Sequence, residues 1–88
     1  LLGIATWKHP EARTEAAIAL GAYKEPQSVK VLLALIEDAD PWLRFCAARS
    51  LHRLGGPDLG ADLMLGKANE RTKAVAAYRA WSEANPIR

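Results

Sequence analysis

An internal repeat constrains this chain more than any other feature of it. Shifted by 31 residues, Leu1-Leu2 falls on Leu32-Leu33, Ile4 on Leu35, Pro10 on Pro41, Arg13 on Arg44, Ala16-Ala17 on Ala47-Ala48 and Leu20 on Leu51. A looser third copy follows at a shift of 29, with Met64-Leu65 under Leu35-Ile36, Lys73 under Arg44 and Ala76-Ala77 under Ala47-Ala48. A period of this length, each unit split into two helical halves, belongs to helix pairs stacked in a row. One pair cannot bury its own apolar face, so about three must share a core.

The clearest copy runs from Asp40 to Gly55. Asp40 is an N-cap residue and Pro41 falls at the first helical position, where its missing N–H costs nothing. Leu43, Ala47, Leu51 and Leu54 form an apolar stripe at helical spacing. Gly55-Gly56-Pro57 stops the helix with a residue that tolerates positive φ, followed by a breaker. The same reasoning places helices at about 1–8, 10–22, 26–38, 57–66 and 70–84, the last stopped by Asn85-Pro86. Gly60, inside the fourth of these five, weakens that assignment. Few residues are β-branched and no stretch alternates with period two, so the expected fold is all-α: a solenoid of about three antiparallel helix hairpins. The expected organisation is a single domain over 1–88, with repeats at about 1–24, 26–55 and 57–86, forming the C-terminal part of a larger protein. Trp81 is expected to cover the open end of the core, whereas Leu1 and Leu2 have no cover at the other end.

The alanine pairs are expected to form the packing seam, since small side chains let neighbouring helices approach. Charge adds little: 12 basic and 10 acidic residues are interleaved, for a net +2, with no polybasic block. Non-specific binding to nucleic acid or anionic lipid is therefore not implied. No apolar run approaches the ~20 residues of a membrane span. The single cysteine, Cys46, reads as a small core residue and favours a reducing, cytoplasmic setting.

Asp40-Pro41-Trp42-Leu43-Arg44, followed by Ala47-Ala48, Leu51 and Leu54-Gly55, resembles the HEAT-like repeat family, in particular its short subgroup named after phycobilisome lyases. The first copy, Pro10-Glu11-Ala12-Arg13 with Ala16-Ala17-Ile18 and Leu20-Gly21, is looser and has His9 in place of the Asp. In the third copy neither Asp nor Pro survives. The resemblance implies right-handed stacking and a scaffold role. It also implies a ladder in which Arg44 pairs with Asp38 or Asp40, and Arg13 with an acid of the neighbouring repeat.

No catalytic constellation is visible. His9 and His52 lie in different repeats without further ligands at metal spacing, and His9-Pro10 and His52-Arg53 lack the His-Glu pairs by which related hydroxylases hold iron. Ser28, Ser50 and Ser82 sit in no nucleophile motif, and Cys46 and His52 fall on different faces of one helix. No enzyme activity, metal or cofactor is expected. The surface of most interest is the polar side of the 41–54 helix, where Trp42, Phe45 or Cys46, Arg49 and Arg53 gather. The repeat alignment adds a ladder of Ile18, Arg49 and Tyr78 across the same face. Arg, Trp and Tyr are the residues that dominate binding hot spots, so Ile18, Trp42, Arg49, Arg53 and Tyr78 are the candidate contacts for a protein partner within a larger complex. Two other readings compete. Lys30, Arg44, Arg49, Arg53, Lys73 and Arg79 could contact nucleic-acid phosphates, although near-neutral charge opposes this. By family analogy, the chain could also serve a cofactor-bearing protein as a lyase- or chaperone-like accessory.

Overall fold

Each helix of the structure is opened or closed by residues that leave the backbone little choice. The structure, a computed structural model, describes residues 10–87. Within them the chain forms five helices: α1 (Pro10–Leu20), α2 (Pro26–Leu35), α3 (Pro41–Arg53), α4 (Gly60–Leu65) and α5 (Ala68–Ala84). The helix expected over residues 1–8, His9 and the uncovered Leu1-Leu2 end lie outside the described residues.

At the start of α3 the Asp40 carboxylate accepts the Trp42 N–H at 2.9 Å, with Pro41 at the first helical position. Its end is a Schellman motif: the Gly56 N–H reaches Leu51 O at 2.9 Å and the Gly55 N–H reaches His52 O at 3.0 Å. Gly55 carries the required positive φ of 111°, and His52 Nδ1–H donates to Gly56 O at 2.9 Å. α2 ends at Leu35, earlier than expected, where the chain tightens into three-residue turns (Glu37 N–H to Ala34 O at 3.2 Å, Asp38 N–H to Leu35 O at 3.1 Å), after which the Asp38 carboxylate accepts the Asp40 N–H at 2.9 Å. α5 begins two residues early, where the Glu70 carboxylate accepts the Lys67 N–H at 3.1 Å. α4 starts at Gly60 rather than running through it, so the glycine costs no helix interior.

The molecule is an all-α solenoid, with no strand among the described residues. The Cα trace measures 31 × 29 × 17 Å, and its thin dimension accommodates just two helix layers at the usual spacing of about 8–10 Å. One layer holds α1, α3 and α4 side by side; the other holds α2 and α5. The core between them comprises Leu20, Leu32, Leu35, Ile36, Leu43, Leu51, Leu63 and Tyr78, among others.

The second helices of the first two repeats pack as the alignment predicts, α1 beside α3. Ala16, Ala17, Ala47 and Ala48 are all buried, Ala48 on the side of α3 that meets Gly60 of α4. Ser50 donates to Ala17 O at 2.6 Å, and a Cβ on Gly21 would lie 2.9 Å from Ser50 Oγ. The third pair sits the other way round. Its first helix, α4, packs on α3 rather than on α2, and its second, α5, packs on α2. Gly60 meets the Phe45 ring, 3.0 Å from where its Cβ would be, and Leu63 O accepts Arg44 Nε–H at 2.6 Å. On the other layer Arg79 pairs with Glu37. The alanine pair Ala76-Ala77 is therefore no seam: Ala76 is exposed and Ala77 half-buried, while Ala74 and Tyr78 turn inward. Trp81 packs over the Gly55-Gly56 turn, half-buried against the core.

Because Ala47 is fully buried in the core, Ala47→Leu should overpack it at a cost of about 1–3 kcal/mol. Urea denaturation measures this as a lower midpoint at unchanged slope.

The arginine ladder forms only in part. Arg13 pairs with Asp38, across the repeat boundary as expected. Arg44 does not pair with a carboxylate. It lies buried, 8% exposed, and donates to the backbone carbonyls of Leu63, Asp38 (2.8 Å) and Ala39 (3.2 Å). Burial alone would raise the pKa of Asp38, but the Asp40 N–H, the Arg13 guanidinium and the charge of Arg44 outweigh it and hold the carboxyl below its ordinary value of 3.8. A depressed folded value stabilises the fold fully above the unfolded pKa and is lost as pH falls through the folded one. The stability of the native chain should thus drop on acidification below about pH 4 more steeply than that of Asp38→Asn, measured by urea unfolding across that range.

Candidate functional site

The outer face of α3 carries side chains at positions that recur on one side of a helix: 42, 45, 49 and 53 are three or four apart. Trp42 is 53% exposed, and Ile18 on the adjacent α1 is 46% exposed. The Trp42 and Phe45 rings stack with centroids 5.4 Å apart and planes 24° from parallel. The Arg49 guanidinium carbon lies 5.8 Å from the Phe45 centroid, within cation–π range. The result is a Trp–Phe–Arg stack along one helix edge. With Ile18, Cys46, Ser50 and Arg53 it lines an open groove of about 360 Å³ between α1 and α3, at the small end of the ~300–1,000 Å³ typical of ligand pockets.

The groove is held from behind. Ser50 at its floor is tied to the α1 backbone through Ala17 O. Phe45 is wedged from the far side by Gly60 of α4, which only a residue without a side chain permits. The reversed third pair thus supplies a wall that places the Phe45 ring between Trp42 and Arg49. Cys46 is buried beneath the groove. Burial pushes its thiol pKa up, the nearby Asp40 charge adds to this, and Arg49 offsets it only partly. It is therefore a protonated packing group at neutral pH rather than a nucleophile. His52 is exposed, and its Nδ1–H is spent on the helix cap.

Four of the five residues expected to contact a partner come together here: Ile18, Trp42, Arg49 and Arg53. Tyr78 does not, and the expected Ile18–Arg49–Tyr78 ladder does not form. Tyr78 is fully buried; its hydroxyl accepts the Leu59 N–H at 3.0 Å and faces Ala48 O at 3.5 Å. The reason is the reversed third pair, which puts α4 where the alignment put α5. Phe45, an either-or choice with Cys46 at the level of sequence, is the centre of the stack. Gly60 as its backstop carried no local signal beyond being a glycine in a helical stretch.

The six cations considered for phosphate contact do not form one track. Arg44 is buried on carbonyls, Arg79 pairs with Glu37, and only Arg49 and Arg53 line the groove. Among the described residues, no group of three or more His, Cys, Asp or Glu side chains converges as a metal site would require, and no helix is long and apolar enough to cross a membrane. A family model described as HEAT repeats matches residues 1–80. No curated protein and no solved structure matches the chain.

Proposed function

The chain belongs to the HEAT repeats, which generally mediate protein–protein interaction, and on that footing we propose that it is a non-enzymatic scaffold, a subunit of a larger assembly that binds its partner through the α1–α3 groove. One observation carries this reading: a half-exposed tryptophan is held in a preformed stack with Phe45 and Arg49, beside an exposed isoleucine. Exposed apolar side chains scattered singly are ordinary, but a contiguous aromatic patch flanked by arginine is the composition of an interface centre. The stack holds its side chains in place before any partner arrives, which lowers the ordering cost of association.

Partner capture on the immobilised chain, with crosslinking to locate the contact, tests the placement. Trp42→Ala and Arg49→Ala should each weaken capture by about 2 kcal/mol of binding free energy, while both variants, altered at exposed positions, keep their stability within about 0.5 kcal/mol. Undiminished capture by both variants would show that the partner sits elsewhere.

A further inference from the structure

The groove is charged on one side of neutrality only. Its lining contains Arg49 and Arg53 and no carboxylate. Among the described residues the ion pairs are Arg13–Asp38 and Arg79–Glu37, so neither groove arginine is neutralised from within the fold. Of the acids nearest in sequence, Asp40 caps α3 through the Trp42 N–H and Asp58 lies outside the lining, as does Glu15, one turn before Ile18 on the adjacent α1. Arg49 and Arg53 are one turn apart on the same helix edge, and Arg49 is held over Phe45. A guanidinium held in this way, with a second one turn along, presents paired donors suited to carboxylates.

From this charge complementarity we infer that the occupant is an acidic, apolar segment of a partner protein. It places a leucine-like or aromatic side chain between Ile18 and the Trp42–Phe45 stack, and one or two Asp or Glu side chains on Arg49 and Arg53. The inference rests on the groove being the binding surface and adds the chemistry of what it binds. Nucleic acid fits less well. Two arginines neutralise two phosphates, where duplex binders commonly make about 6–10 such contacts, and the net charge of the chain is only +2.

Panning a random peptide display library on the full chain tests the proposal, followed by fluorescence anisotropy of the enriched peptides at rising salt. The expected consensus places Asp or Glu beside Leu, Phe or Trp. Affinity should fall about tenfold or more in the Arg49→Gln/Arg53→Gln double variant and in Trp42→Ala, and should weaken with salt. A neutral or basic consensus, or acidic peptides indifferent to the double variant, overturns the acidic preference. If such peptides still depend on Trp42, the groove as binding surface stands; if they do not, both readings fall. No enrichment at all also counts against the proposal, as does a single-stranded oligonucleotide that binds more tightly than any peptide and depends on Arg49.

Discussion

Tyr78→Ala is expected to lower stability by about 3–5 kcal/mol, the range for deleting a large buried aromatic side chain. Tyr78 is the largest of the fully buried side chains and stands where α5 closes the core over α3 and α4. Its ring fills the space between the layers, and its hydroxyl takes up the Leu59 N–H just ahead of α4. Removing both leaves a cavity and takes the partner from a half-buried donor, and a small domain holds only about 5–15 kcal/mol in total. Tyr78→Phe separates the two terms. It keeps the packing and loses the hydroxyl, and should cost about 1–2 kcal/mol. Urea denaturation reads both. Neither the groove nor its arginines touch Tyr78, so Tyr78→Phe should bind a partner as the native chain does. A binding defect in a fully folded Tyr78→Phe would restore this residue to the interaction surface.

Arg44→Ala is the second large effect, at about 3 kcal/mol. One guanidinium joins three backbone carbonyls, at Asp38, Ala39 and Leu63. Those at Asp38 and Ala39 belong to the α2–α3 connection, and the third lies within α4. Hydrogen bonds from a charged donor contribute about 1.5–3 kcal/mol, and each buried acceptor left unpaired adds a penalty. Arg44→Lys should recover only part of the loss, because a single ammonium cannot span acceptors on two elements as the planar fork does. The check is the denaturation midpoint at constant slope, together with amide hydrogen exchange. Protection should fall first in α4, which has only the six residues Gly60–Leu65 and leans on this contact. Unchanged exchange in α4 would mean that its position is set by Gly60 and Leu63 packing alone.

These two residues also mark how far the sequence could be read. Arg44 was legible as structural because it recurs at Arg13, but its partners were not. The family-like pairing with Asp38 or Asp40 is replaced by carbonyls, since Asp38 is already taken by Arg13 and the Asp40 N–H. Tyr78 was misplaced for a definite reason. A repeat alignment assumes that equivalent positions face equivalent neighbours, and that holds for α1 and α3 but not for α5. The shift of 29 correctly identified a third helix pair. It could not show that the pair enters reversed, because reversal depends on Gly60 fitting against Phe45 and on Trp81 covering the Gly55-Gly56 turn. Both are contacts between residues distant in sequence.

The candidate site divides along the same line. Trp42, Arg49 and Arg53 are placed on one edge by the helical period alone, and the period is a local property. Ile18 joins them because α1 packs beside α3 as the repeat alignment predicts. Choosing Phe45 rather than Cys46 as the centre of the stack required the position of α4, which presses the ring outward and leaves the thiol beneath.

By itself, then, the sequence determined the helical class, the limits of α3, the pairing of α1 with α3 and the residues on the exposed edge of α3. Each of these follows from caps, breakers and a period, which act within a few residues. The tertiary structure alone decided the reversed third pair, the burial of Tyr78, the carbonyl partners of Arg44 and the arrangement of Trp42, Phe45 and Arg49 into one stack. These depend on which surfaces meet across the core, and close packing settles that for the whole chain at once.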